Sequence, residues 1–293
     1  MFRKLCAVLV PVLLAVSGCA SSKASADDRA TFNAALRKGR VVNTGADITL
    51  PFDSYFMSTP QANQFDRAAR ILARDCMKRF GFDWRIRTTE VEAAPKAGRY
   101  GLIDADAAAA YGYHATPDEA GPVGDAGAKP DAAMAMVYFG NGPSTYAGQP
   151  VPKGGCLGEA RGKLAEGGPA SLSTQELRGL ENELYHKAQV DRRVQAAMAG
   201  WRTCMKSAGY DYDDIWKANN DPRWTGSQPA PEEIPTAKAD VACKKRVELA
   251  GIWLTVETAY ELESIQQRAG AFDAVRKSLD AQVANAARVV DRS

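Results

Sequence analysis

One stretch of nine residues occurs twice in this chain, as Cys76-Met-Lys-Arg-Phe-Gly-Phe-Asp-Trp84 and as Cys204-Met-Lys-Ser-Ala-Gly-Tyr-Asp-Tyr212. Cys, Met, Lys, Gly and Asp are identical, and two further positions keep an aromatic ring. Each copy follows an apolar-periodic run and ends at a glycine, which takes the left-handed conformation that closes a helix at little steric cost. The aromatic residue after each glycine can then fold back onto the last turn, and the cysteine faces the core. The repeat therefore specifies a helix end used twice, not a chemistry.

Residues 1–18 have the three parts of an export signal: basic Arg3 and Lys4, an apolar run from Leu5 to Val16, and the small pair Ser17-Gly18. The run is too short to span a membrane. Val16-Ser17-Gly18-Cys19 resembles the lipobox of bacterial lipoproteins, and the resemblance implies an acylated Cys19 at the mature N-terminus. Losing Arg3 and Lys4 lowers the 37 basic residues by two, to 35, which equals the 35 acidic ones. A neutral mature chain with no dense basic run argues against nucleic acid as a partner. The membrane is then reached through the lipid alone.

With Cys6 in the signal and Cys19 acylated, Cys76, Cys156, Cys204 and Cys243 remain. An even set in an exported chain reads as two disulfides, with three connectivities open from sequence. The sequential pairing, Cys76 to Cys156 and Cys204 to Cys243, is favoured because each Cys-Met repeat is followed by one further cysteine that opens a charged helical stretch. Zinc is disfavoured, since separations of 80, 48 and 39 residues contain no C-x-x-C pair and neither histidine is near a cysteine. No metal or cofactor is expected.

Residues 20–29 are small and polar and read as a tether. Thr31 to Lys38 reads as a short helix and Val41 to Leu50 as a short strand or extended arm. Thr59-Pro60 is a helix start, with a hydroxyl at the cap and proline in the first turn. Phe65, Ala69, Leu72, Cys76 and Phe80 form the stripe of that helix. Between Gly81 and Gly155 the periodicity dissolves. Trp84 to Val91 and Met134 to Phe139 read as strands, Asp104 caps a short helix through Ala110, and Gly121 to Pro130 reads as an exposed loop.

After Cys156 a short helix runs through Leu164. Ser173-Thr-Gln-Glu176 is a capping box that starts a long helix to about Ala208, roughly 50 Å at 1.5 Å per residue. Residues 210–235 connect it to a second helical stretch, Thr236 to Val290, with a break or bend expected near Gly251 or Gly270. The stapled ends predict that the helices around Trp201 and Trp253 pack antiparallel. The fold expected is mainly α: a hairpin of two long antiparallel helices, a duplicated helix-Cys-Met-Gly unit, an irregular region with short strands, and two disulfides. Residues 19–40 are the tether, and 41–293 form a single domain with halves 41–170 and 171–293.

The search for catalytic chemistry is mostly negative. There is no G-x-S-x-G, no serine with lysine three residues on, and Gly140-Asn-Gly142 lacks the third glycine of a dinucleotide fingerprint. Asp211, Asp213 and Asp214 resemble a calcium loop only in density, since Ile215 and Trp216 occupy the positions where a ligand and a glycine belong. His186 falls on the polar face of its helix. His114, after Tyr111-Gly-Tyr113, is the better site candidate, and a cell-envelope hydrolase centred there is the alternative function. Tyr111, Tyr113, His114 and Tyr146 are the expected binding surface.

The Cys-Met units ahead of Gly-aromatic, the Arg99-Tyr100-Gly101 segment, and Gly-Gly-Cys-x-Gly-Glu from Gly154 to Glu159 resemble a set of uncharacterised lipoproteins of high-GC Gram-positive bacteria. The likeness spans most of residues 50–260 and implies a fold without a known activity. Together these readings predict a lipid-anchored protein on the extracytoplasmic face of the cell membrane, non-catalytic, with a cell-envelope or protein partner.

Overall fold

The two copies of the repeat end their helices with the same pair of hydrogen bonds in the computed structural model, which describes residues 40–83, 96, 98–116 and 131–293. In the first, Gly81 N–H donates to Lys78 O at 3.0 Å and Phe82 N–H to Met77 O at 3.2 Å; in the second, Gly209 donates to Lys206 O at 3.1 Å and Tyr210 to Met205 O at 2.9 Å. Both glycines are left-handed, with φ of 82° and 91°. The six-to-one and five-to-two bonds satisfy carbonyls that would otherwise be orphaned at the helix end. Met77 and Met205 are the acceptors of the longer bond, both fully buried, and the aromatic residue that donates it packs into the same core as the methionine. The repeat preserves Met, Gly and the ring because all three belong to one helix stop.

Ten α-helices make up most of the described residues: α1 Thr59–Arg79, α2 Ala105–Tyr111, α3 Ala132–Phe139, α4 Gly155–Ala165, α5 Thr174–Gln189, α6 Arg192–Ser207, α7 Ile215–Asn219, α8 Glu233–Arg246, α9 Leu249–Gln267 and α10 Ala269–Val290. Between α3 and α4 a hairpin pairs β1 (Thr145–Tyr146) antiparallel with β2 (Gln149–Pro150), Tyr146 opposite Gln149. Its two-residue turn, Ala147-Gly148, has positive φ at both positions, as the twist of a tight hairpin requires.

Several boundaries differ from those read in the sequence. α1 is capped by Ser58, with Thr59 already helical and Gln61 completing the cap. Val41 to Leu50 is not a strand but an arm with a 3-10 turn at Gly45–Asp47, followed by another at Pro51–Tyr55. Met134 to Phe139 is helical: Asp131 accepts from Ala133 N–H at 2.9 Å, and Gly140, left-handed at φ 65°, closes the other end. Those caps, with a run of Ala and Met between them, outweigh the apolar continuity that reads as strand. Asp104 caps α2 through two backbone N–H groups, and the Ser173–Glu176 capping box is formed. The expected helix at Thr31–Lys38, strand at Trp84–Val91 and loop at Gly121–Pro130 lie outside the described residues.

Both long helices are broken. The first divides at Val190–Asp191, where Val190 is 71% exposed and Asp191 accepts from Arg193 N–H at 2.9 Å to start a new helix. The apolar stripe continues across the break, since Leu184, Ala188, Val194 and Met198 are all buried. The second stretch divides at Val247–Glu248, with Glu248 at φ 54°, and again at Arg268, next to the expected Gly270. The Val247–Glu248 break falls three residues before Gly251, near the expected position. Gly251 itself has another role. It lies inside α9, where a Cβ would collide with the carbonyl oxygen of Arg40, so the glycine admits the N-terminal arm.

The disulfides are the sequential pair, with Cα separations of 5.5 Å for Cys76–Cys156 and 5.6 Å for Cys204–Cys243. Cys204 meets Cys243 while Gly200 faces Val247, so α6 and α8 run antiparallel. The staple thus makes an antiparallel hairpin of α6 with α8, while Trp253, expected on the same helix as Cys243, lies on α9 beyond the Glu248 break and shares a core with Trp201. The two halves interlock. Ala286 of α10 packs with Ala68 and Ala69 of α1 and Leu164 of α4, and Phe52 of the arm meets Phe272 with ring centroids 5.0 Å apart.

Candidate functional site

Two helices turn a charged face inward. On α8, Glu233, Thr236, Asp240 and Lys244 recur at helical spacing and are all buried; on α9, Glu257, Glu261 and Ser264 do the same. Such groups are tolerated inside only when partnered. Their main partners come from the irregular segment 98–114, which crosses both helices: Arg99 and Tyr100 address α9, and Tyr113 and His114 address α8.

At the α8 end, the Oε1 of Glu233 accepts from Tyr113 N–H at 2.8 Å and lies 2.7 Å from His114 Nδ1, and its Oε2 accepts from Ala230 N–H at 3.1 Å. His114 Nε2 lies 2.8 Å from the carbonyl oxygen of Gly226. The Gly226 carbonyl can only accept, so Nε2 carries a proton, and Nδ1 is occupied by the Glu233 carboxyl group. The Gly226 carbonyl first, and Glu233 next, raise the His114 pKa above its ordinary 6.5. A general base needs a ring nitrogen open to substrate, and both of those of His114 are occupied by protein oxygens. Two turns along α8, Asp240 accepts from Trp201 Nε1 at 2.8 Å, Tyr113 hydroxyl at 3.2 Å and Lys244 Nζ at 2.8 Å. Burial raises Asp240 and lowers Lys244, each opposed by its partner.

The His114 contribution to stability has a definite pH window. Because the folded pKa lies above 6.5, the contribution is complete below pH 6.5 and is lost as pH rises through the folded value. His114→Gln is expected to remove that part of the slope in urea midpoint against pH. A wild-type and variant pair with parallel profiles from pH 6.5 upward would show that His114 is not the titrating group.

At the α9 end, Arg99 forms a two-point pair with Glu257, whose other contact is the Tyr100 hydroxyl at 2.7 Å, and it also reaches Glu181 Oε1 at 3.2 Å. Burial and then the Glu257 charge raise the Tyr100 hydroxyl, so it stays a donor. Glu261 accepts from Phe52 N–H at 2.8 Å, but its Oε1 is buried without a partner. Burial, helped by the charges of Glu257 and Glu181, pushes Glu261 up to about 8, so at neutral pH it is a neutral acid. The unfolded chain releases that proton from pH 4.5 upward while the folded chain keeps it, so stability falls as pH rises from 4.5 toward 8. Glu261→Gln is expected to gain about 3 kcal/mol at pH 7, with the gain vanishing below pH 4.5. Paired urea titrations at the two pH values check this.

The outer edge of this network opens into a groove of about 400 Å³ between Gly98 and Arg99, the α5 residues Arg178, Glu181, Asn182 and Tyr185, and Trp216 of α7. That volume is within the ordinary range for small-ligand sites. Arg178 reaches Glu181 Oε2 at 3.0 Å and lies over the Phe56 ring, 4.2 Å from its centroid. Tyr185 stacks on Trp253 and donates to Arg99 O at 3.1 Å, which fixes the floor.

The four residues expected to form one binding surface are not together. Tyr113 and His114 face inward onto α8, and Tyr146 packs against Phe80 and Phe82, with centroids 6.4 and 5.1 Å away. Tyr111, at the end of α2, keeps an exposed ring, 38% accessible. His186 is exposed, as its helix position implied. Cys19 lies outside the described residues. Sequence reasoning missed Arg99, Glu181, Glu257, Glu261 and the groove; the available signal was carboxylates three and four residues apart on helices that otherwise read as buried. Among the described residues no group of three or more His, Cys, Asp and Glu side chains is arranged to hold a metal ion, and no helix is long and apolar enough to cross a membrane. Compared with models of protein families, curated proteins and solved structures, the chain matches none.

Proposed function

We propose that this protein is a lipid-anchored binding module of the cell envelope, held on the extracytoplasmic face of the membrane through Cys19 and without catalytic activity of its own. One observation carries the non-catalytic reading: His114, the best sequence candidate for a base, has both ring nitrogens occupied by protein oxygens, those of Glu233 and Gly226. The groove between Arg99 and Trp216 offers guanidinium, amide, carboxylate and indole groups, which recognise ligands, with no nucleophile beside a free base. The anchor rests on the lipobox resemblance, and the balanced mature charge gives the polypeptide no electrostatic hold on anionic lipid of its own.

Cys19→Ala, with cleavage preserved, is expected to abolish incorporation of labelled palmitate and to move a folded protein from the membrane fraction to the soluble one. Retention in the membrane fraction without label would refute the anchor. Hydrolysis of envelope polymers by the purified wild type would refute the absence of catalysis, and its loss in His114→Gln would place the activity at His114.

A further inference from the structure

The geometry points to a neutral sugar ring of an envelope glycan as the ligand of the Arg99–Trp216 groove. This rests on the binding-module reading and goes beyond it by naming the ligand class. Two features decide the class: the charge of the groove and the polar groups that it leaves open.

The two arginines in the groove are matched by two carboxylates. Arg99 pairs with Glu257 and Glu181, and Arg178 pairs with Glu181. A ligand carboxylate or phosphate would find no surplus positive charge, and would lie against Glu181. A neutral ligand meets no such opposition. The open groups suit hydroxyls. Arg178 is held by the Phe56 ring and by one bond to Glu181, and its side chain is 61% exposed, so its remaining N–H groups face solvent in a fixed plane. One turn later on α5, Asn182 is exposed, and its amide makes no hydrogen bond within the described residues. Each carboxylate oxygen of Glu181 accepts one guanidinium bond and has a further lone pair. Sugar hydroxyls both donate and accept, and so match this mixture of donors and acceptors at close spacing.

The platform is Trp216. Trp201 and Trp224 engage their indole N–H groups with Asp240 and with Ala218 O. Trp216 is half-buried at the groove wall, and among the described residues it is stacked on no other ring and its indole N–H has no acceptor. An indole at a groove wall can pack against the C–H face of a pyranose while its N–H reaches a hydroxyl.

Calorimetry on the anchored protein in detergent, with mannotriose, maltotriose and triacetylchitotriose as neutral probes and trigalacturonate as the anionic one, tests this. At least one neutral probe is expected to bind at about 1 mM or tighter. Asn182→Ala and Trp216→Leu are each expected to weaken that binding about tenfold, and Asn182→Ala should leave the urea midpoint unchanged. The proposal is overturned if no neutral probe binds at about 10 mM, if trigalacturonate binds better than all of them, or if both variants bind as the wild type does. Sedimentation with purified cell walls separates the two readings. Wall binding abolished by Trp216→Leu without any sugar binding overturns the ligand class alone. Neither wall nor sugar binding overturns both.

Discussion

Arg99→Met is expected to lower the unfolding free energy by about 3–5 kcal/mol. The guanidinium holds Glu257, which is 0% exposed, through two nitrogens, and holds Glu181 through a third. Methionine fills much of the same volume but leaves Glu257 with only the Tyr100 hydroxyl as partner. An uncompensated buried carboxylate either stays charged at a desolvation cost or takes up a proton at neutral pH, and each outcome is unfavourable. The loss should therefore be largest at high pH and shrink in acid, where the carboxyl is neutral in both states. Adding Glu257→Gln to Arg99→Met is expected to recover most of the loss, because the second change removes the charge that the first one stranded. Urea unfolding of the two single variants and the double variant measures this coupling. Additive losses would mean that Arg99 acts by packing on Tyr185, whose ring it covers at 5.3 Å, and not by charge.

The same residues show what could be read from the chain and what could not. The helix stops at Gly81 and Gly209 were legible because a left-handed glycine, a methionine and an aromatic residue are local signals that repeat. The Ser173 capping box and the Asp104 cap were legible for the same reason. The break at Asp191 was not, because the helices on both sides bury faces in contiguous cores and the apolar period runs through it. The polar seam was hidden more thoroughly. Arg99 and Glu257 are 158 residues apart, and Tyr113 and Asp240 are 127 apart, so no window of sequence contains both partners. Charged residues at helical spacing on α8 and α9 read as solvated faces until a third segment covers them. Two glycines in that segment were the available clue. Gly112 is left-handed, and a Cβ there would come 2.6 Å from Glu233 Oε1; at Gly101 it would come 2.8 Å from Lys244 Nζ. Both admit the backbone of the segment against buried charges. The groove inherits this difficulty, since Arg99, the α5 residues and Trp216 come from three separate parts of the chain.

Removing both disulfides, by Cys76→Ala, Cys156→Ala, Cys204→Ala and Cys243→Ala together, is expected to leave the chain without a cooperative unfolding transition at 25 °C. In the chain-entropy model, links closing separations of 80 and 39 residues restrict the unfolded chain by about 4.5 and 4 kcal/mol. Doubling the loop length adds only about 0.6 kcal/mol, so the two links count almost equally. Sequential connectivity matters here, because loops that are neither nested nor crossed restrict the unfolded chain independently and their contributions add. Their sum is comparable to the whole stability of an ordinary domain, about 5–15 kcal/mol. Each pair removed alone should leave a folded protein with a lower urea midpoint. The Cys204–Cys243 pair carries a second consequence. It lies one helical turn from the Trp201–Asp240 hydrogen bond, so its loss should also loosen Tyr113 and His114 and increase amide exchange in residues 111–114. Losing Cys76–Cys156 should instead affect α1 and α4 and leave that segment protected. Hydrogen exchange on the two single-pair variants distinguishes these patterns, and equal protection of residues 111–114 in both would show that the staple and the polar seam are not mechanically linked.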